Sequence, residues 1–256
     1  MNITRKQRHA EAFESQSVAS SAQFYAVMLS TFLVGLIAML SIAAAFSVWF
    51  GTESFQRIAL NNFTAMTVTF IVLFVLTFII TMFISAIKNN VIKLLLFPII
   101  ILFYGIVIGI AFYIYFMVRY NITEITWNLI PQMIGVMLIP AGVMIVAAIL
   151  GLFNLINIRA LGIFSSFLFV AFIITFLVSF FVFRADWYVI VIGTALISIN
   201  MIIQWWQIRR TADMAQYMDG KEMWSQAIIS GVMLFISYAQ LLWYVITLMT
   251  GNSGRK

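Results

Sequence analysis

The chain has 256 residues, of which 64% are hydrophobic and only 9% charged, with a net charge of +6 and a mean hydropathy of +1.09. Soluble domains average roughly 45–50% apolar and about 25% charged residues, so this composition excludes an ordinary soluble protein and indicates an integral membrane protein. The chain has no cysteine, which excludes disulfides and thiolate sites.

Seven apolar runs are long enough to cross a bilayer, since a spanning helix needs ~20 residues to cross a ~30 Å hydrocarbon core. They cover residues 24–50, 63–87, 94–118, 129–153, 161–183, 187–208 and 224–249. The connections are too short to hold a soluble domain. We therefore expect one all-α membrane domain over residues 24–250, built as a seven-transmembrane-helix bundle.

Residues 1–23 precede this domain as a polar segment that we expect to be cytoplasmic, and residues 251–256 follow it as a short tail. The stretch from His9 to Gln23 is compatible with a helix that extends the first span or lies at the membrane interface. Its weak apolar content favours a partly ordered polar tail. His9 is the only histidine in the chain, and this location indicates a solvated residue.

Basic residues in the connections predict the orientation. If the N-terminus is cytoplasmic, the inside segments hold nine lysines and arginines and the outside segments hold five. The positive-inside rule then predicts a cytoplasmic N-terminus and, with seven spans, an external C-terminus. The basic residues are scattered singly or in pairs at the ends of apolar runs, which argues for topology control and against a nucleic-acid surface.

Aromatic and proline residues give two further expectations. The tryptophans near the ends of spans, together with Tyr188, are expected at the level of the lipid headgroups; they are Trp49, Trp127, Trp187, Trp205, Trp206 and Trp224. Pro131 and Pro140 predict a kink in the fourth span, which is either structural or, as in some transporters, a binding element. Pro98 is expected to be tolerated near the start of the third span.

The eight carboxylates all lie in the polar segment, in the connections or in the first turn of a span. None is expected in the middle of the membrane, so the sequence lacks paired carboxylates for acid–base catalysis, a proton relay and an acidic metal cluster there. The serines within the spans have no candidate base near them in the sequence. We therefore expect neither an enzyme, nor a cofactor, nor a metal site.

The polar residues that remain within the spans are neutral and mostly amides. Asn200, Gln204 and Gln207 follow a helical spacing and share one face of the sixth span, and Ser237 and Gln240 share a face of the seventh. A polar side chain in hydrocarbon has no water to bond, so we expect the two faces to meet inside the bundle. They serve either as interhelical hydrogen-bond contacts or as a polar, ion-coordinating pathway.

Two short motifs at these residues resemble the Bax inhibitor family of seven-span membrane proteins, also called the transmembrane Bax inhibitor motif family. The stretch from Gln204 to Arg209 (QWWQIR) is similar to the aspartate-containing motif that ends the family's sixth span, with Gln204 in place of the acid. The stretch from Ser237 to Tyr244 (SYAQLLWY), which includes Tyr238, is similar to the family's seventh span, with Gln240 in place of the second aspartate.

The resemblance implies a bundle wrapped around a central seventh helix and a member of bacterial type in the plasma membrane. In prokaryotic members, two aspartates that pair between the sixth and seventh spans govern a pH-sensitive calcium leak, and other bacterial members modulate a membrane protease. Glutamines cannot titrate, although their oxygens can still bond and can coordinate cations weakly. The Gln204–Gln240 pair is therefore expected to hold the helices together without a proton switch.

Three functions follow as hypotheses. The first is a weak, pH-independent cation (calcium) leak or a silent relative of the family. The second is a non-conducting interaction protein that modulates a membrane protease or another partner in the lipid bilayer. The third is a small-solute transporter that uses the kinked fourth span, for which the sequence shows no convincing internal repeat.

Overall fold

The computed structural model describes residues 5–62, 90–121, 127–179, 181–182 and 186–253, together with Val68, Val72, Leu76 and Ile79, with most side chains from Ser20 onward. The regular structure of this part of the chain is entirely helical, and it contains no strand. Its helices are α1 (Arg5–Phe50), α2 (Glu53–Asn61), α3 (Asn90–Tyr120), α4 (Ile130–Leu152), α5 (Ile158–Ser179), α6 (Asp186–Met214) and α7 (Gly220–Ser253), with 3-10 turns at Trp127–Leu129 and Ala215–Tyr217.

Six of these helices are long and apolar enough to cross a membrane, and they make the protein an integral membrane protein. They are α1 and α3 to α7, and each overlaps one of the predicted spans. The second predicted span, residues 63–87, lies outside the described residues except for its four helical positions, Val68, Val72, Leu76 and Ile79. The short helix α2 precedes that span and carries an exposed ion pair between Arg57 and Glu53.

Helix α1 is longer than predicted, because it begins at Arg5 and runs without interruption to Phe50. From Arg5 onward the N-terminal segment is therefore a helical extension of the first span. Near the start of the apolar part, the Ser21 hydroxyl donates a hydrogen bond of 2.9 Å to the Ala212 carbonyl at the end of α6. This bond joins the first and sixth spans at one end of the bundle.

Two of the three prolines lie at other positions in their helices than the sequence predicts. Pro131 lies in the first turn of α4, where a proline interrupts no helical hydrogen bond, so it marks the start of the helix and not a kink. Pro98 lies well inside α3, because that helix begins at Asn90; the expectation of a start-of-helix proline there is wrong. Pro140 is inside α4 and buried, and it removes the donor for the Val136 carbonyl.

Helix α7 is the most buried span. In the part of each helix with spanning character, 61% of the α7 residues are buried against 6% of those in α5. Helix α7 packs against α1, α3, α4 and α6, whereas α5 packs mainly against α6. The side chains of Leu234, Phe235 and Leu242 are fully enclosed, so α7 supplies the interior of the described core.

Glycines allow the closest helix approaches. A Cβ atom on Gly231 of α7 would lie 2.5 Å from the Met28 carbonyl oxygen of α1, and one on Gly151 of α4 would lie 2.6 Å from the Ile202 carbonyl oxygen of α6. Small residues let helix backbones approach in membranes, where packing and hydrogen bonds replace the hydrophobic driving force. These two contacts therefore hold α1 against α7 and α4 against α6.

Contacts along the helices give their directions. Gly35 and Ala43 of α1 lie against Phe97 and Gly109 of α3, in the same order along both chains, so α1 and α3 are parallel. Helices α6 and α7 are antiparallel, with Trp187 against Gly251 at one end and Gln204 bonded to Ser237 further along. The segments that carry most of the basic residues thus meet at one end: Ser21 bonds Ala212, Arg209 bonds Leu152, and Val91 lines a cavity with Lys221.

Replacing Gly231 by alanine is expected to destabilise the protein by about 1–3 kcal/mol, because the added methyl group meets the α1 backbone and the core is overpacked. Thermal unfolding in detergent micelles would measure the loss. Gly142→Ala is the matched control, because a Cβ there meets nothing within 4 Å. Equal stability of the two variants would contradict the close α1–α7 contact.

Candidate functional site

The polar residues predicted from the sequence lie along the seam between α6 and α7. The two helices are antiparallel, and a Cβ on Gly193 of α6 would lie 2.7 Å from the Tyr244 ring of α7. Further along, the Ser237 hydroxyl of α7 donates a hydrogen bond of 2.9 Å to the Gln204 side-chain oxygen of α6. The expectation that the two polar faces meet inside the bundle is therefore met at Gln204 and Ser237.

Gln240 occupies a different level of the seam. It lies about one turn beyond Ser237 on α7, and it lines a cavity together with Asn200 of α6. A direct bond between Gln204 and Gln240 is not among the hydrogen bonds of the described residues, where Gln204 has Ser237 as its partner. The antiparallel register explains this arrangement, because moving along α7 from Ser237 to Gln240 means moving back along α6 from Gln204 to Asn200.

The cavity beside Gln240 has a volume of about 260 Å³ and lies between α3, α5, α6 and α7. It combines two amides with aromatic walls and, among its described lining residues, has no charged side chain. The lining includes Tyr104, Phe169, Phe172, Asn200, Gln240 and Tyr244. Such a cavity offers hydrogen-bond donors and acceptors in hydrophobic surroundings, which suits a neutral ligand or a weakly held cation.

Two more hydrogen bonds tie the seam to its outer neighbours. Ser165 of α5, which is buried, donates to the Asn200 side-chain oxygen at 2.8 Å. The Tyr238 hydroxyl of α7 donates to the Met137 carbonyl of α4 at 3.0 Å, beside the Val136 carbonyl that Pro140 leaves without a helical donor. Four spans are thus joined by neutral side-chain hydrogen bonds, each of which satisfies a group that has no water partner.

The other predicted residues are placed differently. Gln207 is exposed on the bundle surface, so it does not belong to the interior stripe. Trp205, expected in the headgroup belt, is only 6% exposed and packs against Gly151; its ring nitrogen is buried without a partner among the described residues. The belt prediction is wrong for Trp205 because the α4–α6 approach at Gly151 encloses its side chain.

Sequence reasoning missed Ser165, Tyr104 and Tyr244 as parts of this site. Ser165 is followed by Ser166 and has no polar residue three or four positions away that would mark a polar face of the helix. Tyr104 and Tyr244 fit a plain apolar span as well as a cavity wall. Gly193 on α6 is the one residue that could have indicated the cavity wall, because its missing side chain leaves room for the Tyr244 ring of α7. The sequence does not show which α7 residue lies opposite Gly193, since that depends on the register between the two helices.

In the part of the chain that the structure describes, no group of three or more histidine, aspartate or glutamate residues could hold a metal ion. The oxygens available in the seam come from amides and hydroxyls. These oxygens bind cations more weakly than carboxylates do. What the site offers chemically is therefore hydrogen bonding and weak coordination.

No family model, curated protein or solved structure matches this chain. The Bax inhibitor resemblance therefore stays a hypothesis that depends on the two motifs at Gln204 and Gln240. The geometry of the seam is independent of that hypothesis. Its hydrogen bonds join neutral groups, so protonation in the physiological range does not alter them.

Removing the bond between Ser237 and Gln204 is expected to cost about 0.6 kcal/mol of coupling free energy and at most ~2 kcal/mol, the range for interhelical bonds in membranes. A double-mutant cycle with Ser237→Ala and Gln204→Leu, followed by thermal unfolding, isolates this term. The matched control replaces Ser237→Ala by Ser166→Ala, since the Ser166 hydroxyl bonds its own helix at Gly162. A coupling no larger than that of the control pair would contradict the bond.

Proposed function

We propose that the protein is a Bax-inhibitor-like membrane protein whose α6–α7 seam is closed by neutral hydrogen bonds, so that any cation leak through it is weak and independent of pH. The observation that carries this proposal is the 2.9 Å bond from Ser237 to Gln204. Gln204 stands where the family has a titrating aspartate, and its partner here is a hydroxyl. A calcium leak gated by protons requires an ionisable group at this position.

The cavity beside the seam supports weak cation access. Asn200 and Gln240 line it with amide groups, and the Asn200 oxygen already accepts the bond from Ser165. A cation there would be held by amide oxygens without a carboxylate to offset its lost hydration, which makes both entry and residence unfavourable. Calcium flux, if carried by this cavity, is therefore expected to be slow.

Seven spans, and not six, fit the directions of the helices. Two parallel helices such as α1 and α3, joined by one connection, require that connection to return across the length of the bundle. The second predicted span, residues 63–87, falls in that connection and is apolar enough to do so. With the basic segments at the cytoplasmic side, this count gives an internal N-terminus and an external C-terminus in a bacterial plasma membrane.

We infer further that α7 is the central helix of this bundle. Its support is the burial of Leu234, Phe235 and Leu242 and its packing against α1, α3, α4 and α6. For α7 to move, its bonds to Gln204 and Met137 would both have to break. These bonds therefore favour a state in which the α6–α7 seam is closed.

Reconstituted into liposomes that enclose a calcium-sensitive dye, the unmodified protein is expected to show calcium flux that barely changes between acidic and neutral pH. The double variant Gln204→Asp with Gln240→Asp places carboxyls at the family's two positions and is expected to give pH-dependent flux. Gln204→Asp with Ser237→Asp places them at the two positions in contact, and it is expected to respond as strongly.

Gln207→Asp is the matched control, because Gln207 is on the same helix but exposed, and its flux is expected to stay independent of pH. A steep pH response of the unmodified protein would overturn the proposal. If only the variant with aspartates at 204 and 237 responded to pH, the seam would still be the site of gating. The family's pairing of positions 204 and 240 would then not apply to this protein.

The second candidate is a non-conducting protein that modulates a membrane protease or another membrane partner. The observation that favours it is the continuous helix α1, which extends the first span back to Arg5 and so presents a helical N-terminal element. Affinity capture in mild detergent, with and without residues 1–19, tests it. Identical partners in both cases would show that the N-terminal part of α1 does not bind them. A small-solute transporter that uses the fourth span ranks last, because the sequence shows no convincing internal repeat.

A further inference from the structure

Three arginines gather at one end of the bundle, where the connection between α4 and α5 meets the end of α6. They border a surface cavity of about 620 Å³, which we call the arginine pocket. Its lining includes Asn154, Asn157, Arg159, Trp206, Arg209, Arg210 and Asp213. This cluster shares no lining residue with the cavity beside Gln240.

The backbone of the pocket is shaped by two asparagines. Asn154 has a φ of 53°, a left-handed conformation that asparagine tolerates better than most residues, and it ends the turn after α4. The Asn157 side-chain oxygen then accepts hydrogen bonds from the backbone N–H groups of Arg159 and Ala160 and so caps α5. A guanidinium N–H of Arg209 donates to the Leu152 carbonyl and fixes the connection to α6.

The pocket carries an excess of positive charge. Three arginines and one aspartate leave a net charge of +2. The Arg209–Asp213 pair is long, at 3.9 Å, and its side chains are 45% and 67% exposed, so it neutralises little. The Arg210 guanidinium stacks on the Trp206 ring at 4.5 Å, which orients it without satisfying its charge. Among the described residues, the Arg159 guanidinium has no ion pair.

The position of the pocket matches the headgroup layer of a bilayer. The apolar part of α5 begins directly after Arg159, and that of α6 ends directly before Arg209. Apolar side chains line the pocket beside the charges: Leu155 is 64% exposed, and Ile156 and Ile158 are half-buried. A cationic cluster beside exposed apolar surface suits an amphiphile with an anionic head and a hydrocarbon tail.

We propose that the arginine pocket binds the phosphate-bearing headgroup of an anionic phospholipid, with its acyl chains along Leu155, Ile156 and Ile158. Arginine forks match phosphate oxygens in geometry as well as in charge, and basic pockets between transmembrane helices recognise such headgroups. A free phosphate would use the same arginines but would gain nothing from the apolar flank. The flank is therefore what favours a lipid over a soluble anion.

Native mass spectrometry of the full chain in neutral detergent, titrated with phosphatidylglycerol or phosphatidylcholine, tests this proposal. Phosphatidylglycerol is expected to bind more tightly than phosphatidylcholine. Arg159→Gln and Arg210→Gln are each expected to weaken phosphatidylglycerol binding roughly fivefold and to leave phosphatidylcholine binding unchanged, because each removes one cationic contact with the headgroup.

The matched control is Arg57→Gln, which removes an exposed arginine of α2 outside the pocket and is expected to leave binding unchanged. Thermal unfolding of each variant without added lipid confirms that it is folded. Equal affinity for the two lipids, or an equal loss in the Arg57 variant, would overturn the proposal. Inorganic phosphate that competes fully with phosphatidylglycerol at equal concentration would assign the pocket to a soluble anion and overturn the lipid as its ligand.

Discussion

Within hydrocarbon a polar group has no water to bond, and the assembly of this bundle depends on that constraint. Three buried or partly buried polar side chains of the α6–α7 seam and its neighbours reach across to another helix. Ser237 reaches Gln204, Ser165 reaches Asn200, and Tyr238 reaches the backbone of α4. The energies of single bonds are small, so their main effect is to select one register among the several that apolar packing alone would allow.

The same constraint explains the two kinds of site in the molecule. Inside the membrane, where charge is expensive, the seam and its cavity are built from amides, hydroxyls and aromatic rings. At the end of the bundle, where water and headgroups are available, arginines stand open beside apolar side chains. The composition of both sites follows from the position of each residue along its helix.

Most of the helical architecture could be predicted from the sequence, because a run of ~20 apolar residues has few alternatives in a bilayer. The six described spans overlap their predicted ranges, and the meeting of α6 and α7 through polar side chains follows from the spacing of Asn200 and Gln204.

The partner of each polar group could not be predicted from the sequence. A face of a helix is readable from one chain segment, but a pair needs the register between two segments, and that register is set by contacts such as Gly193 against Tyr244. The predictions for Trp205 and Pro98 were wrong for related reasons. The burial of Trp205 depends on a neighbouring helix, and the position of Pro98 within its helix depends on where that helix begins, so neither can be read from nearby residues alone.

The packing of α7 has a consequence for how the protein is made. This helix is the last of the described spans to leave the ribosome, yet it contacts α1, α3, α4 and α6. Until it is inserted, the α1 backbone at Met28, the Gln204 amide and the Met137 carbonyl all lack their α7 partners, which are Gly231, Ser237 and Tyr238. Insertion of α7 therefore completes the packing of four earlier spans, so that a chain shortened near its end loses contacts with all four of them.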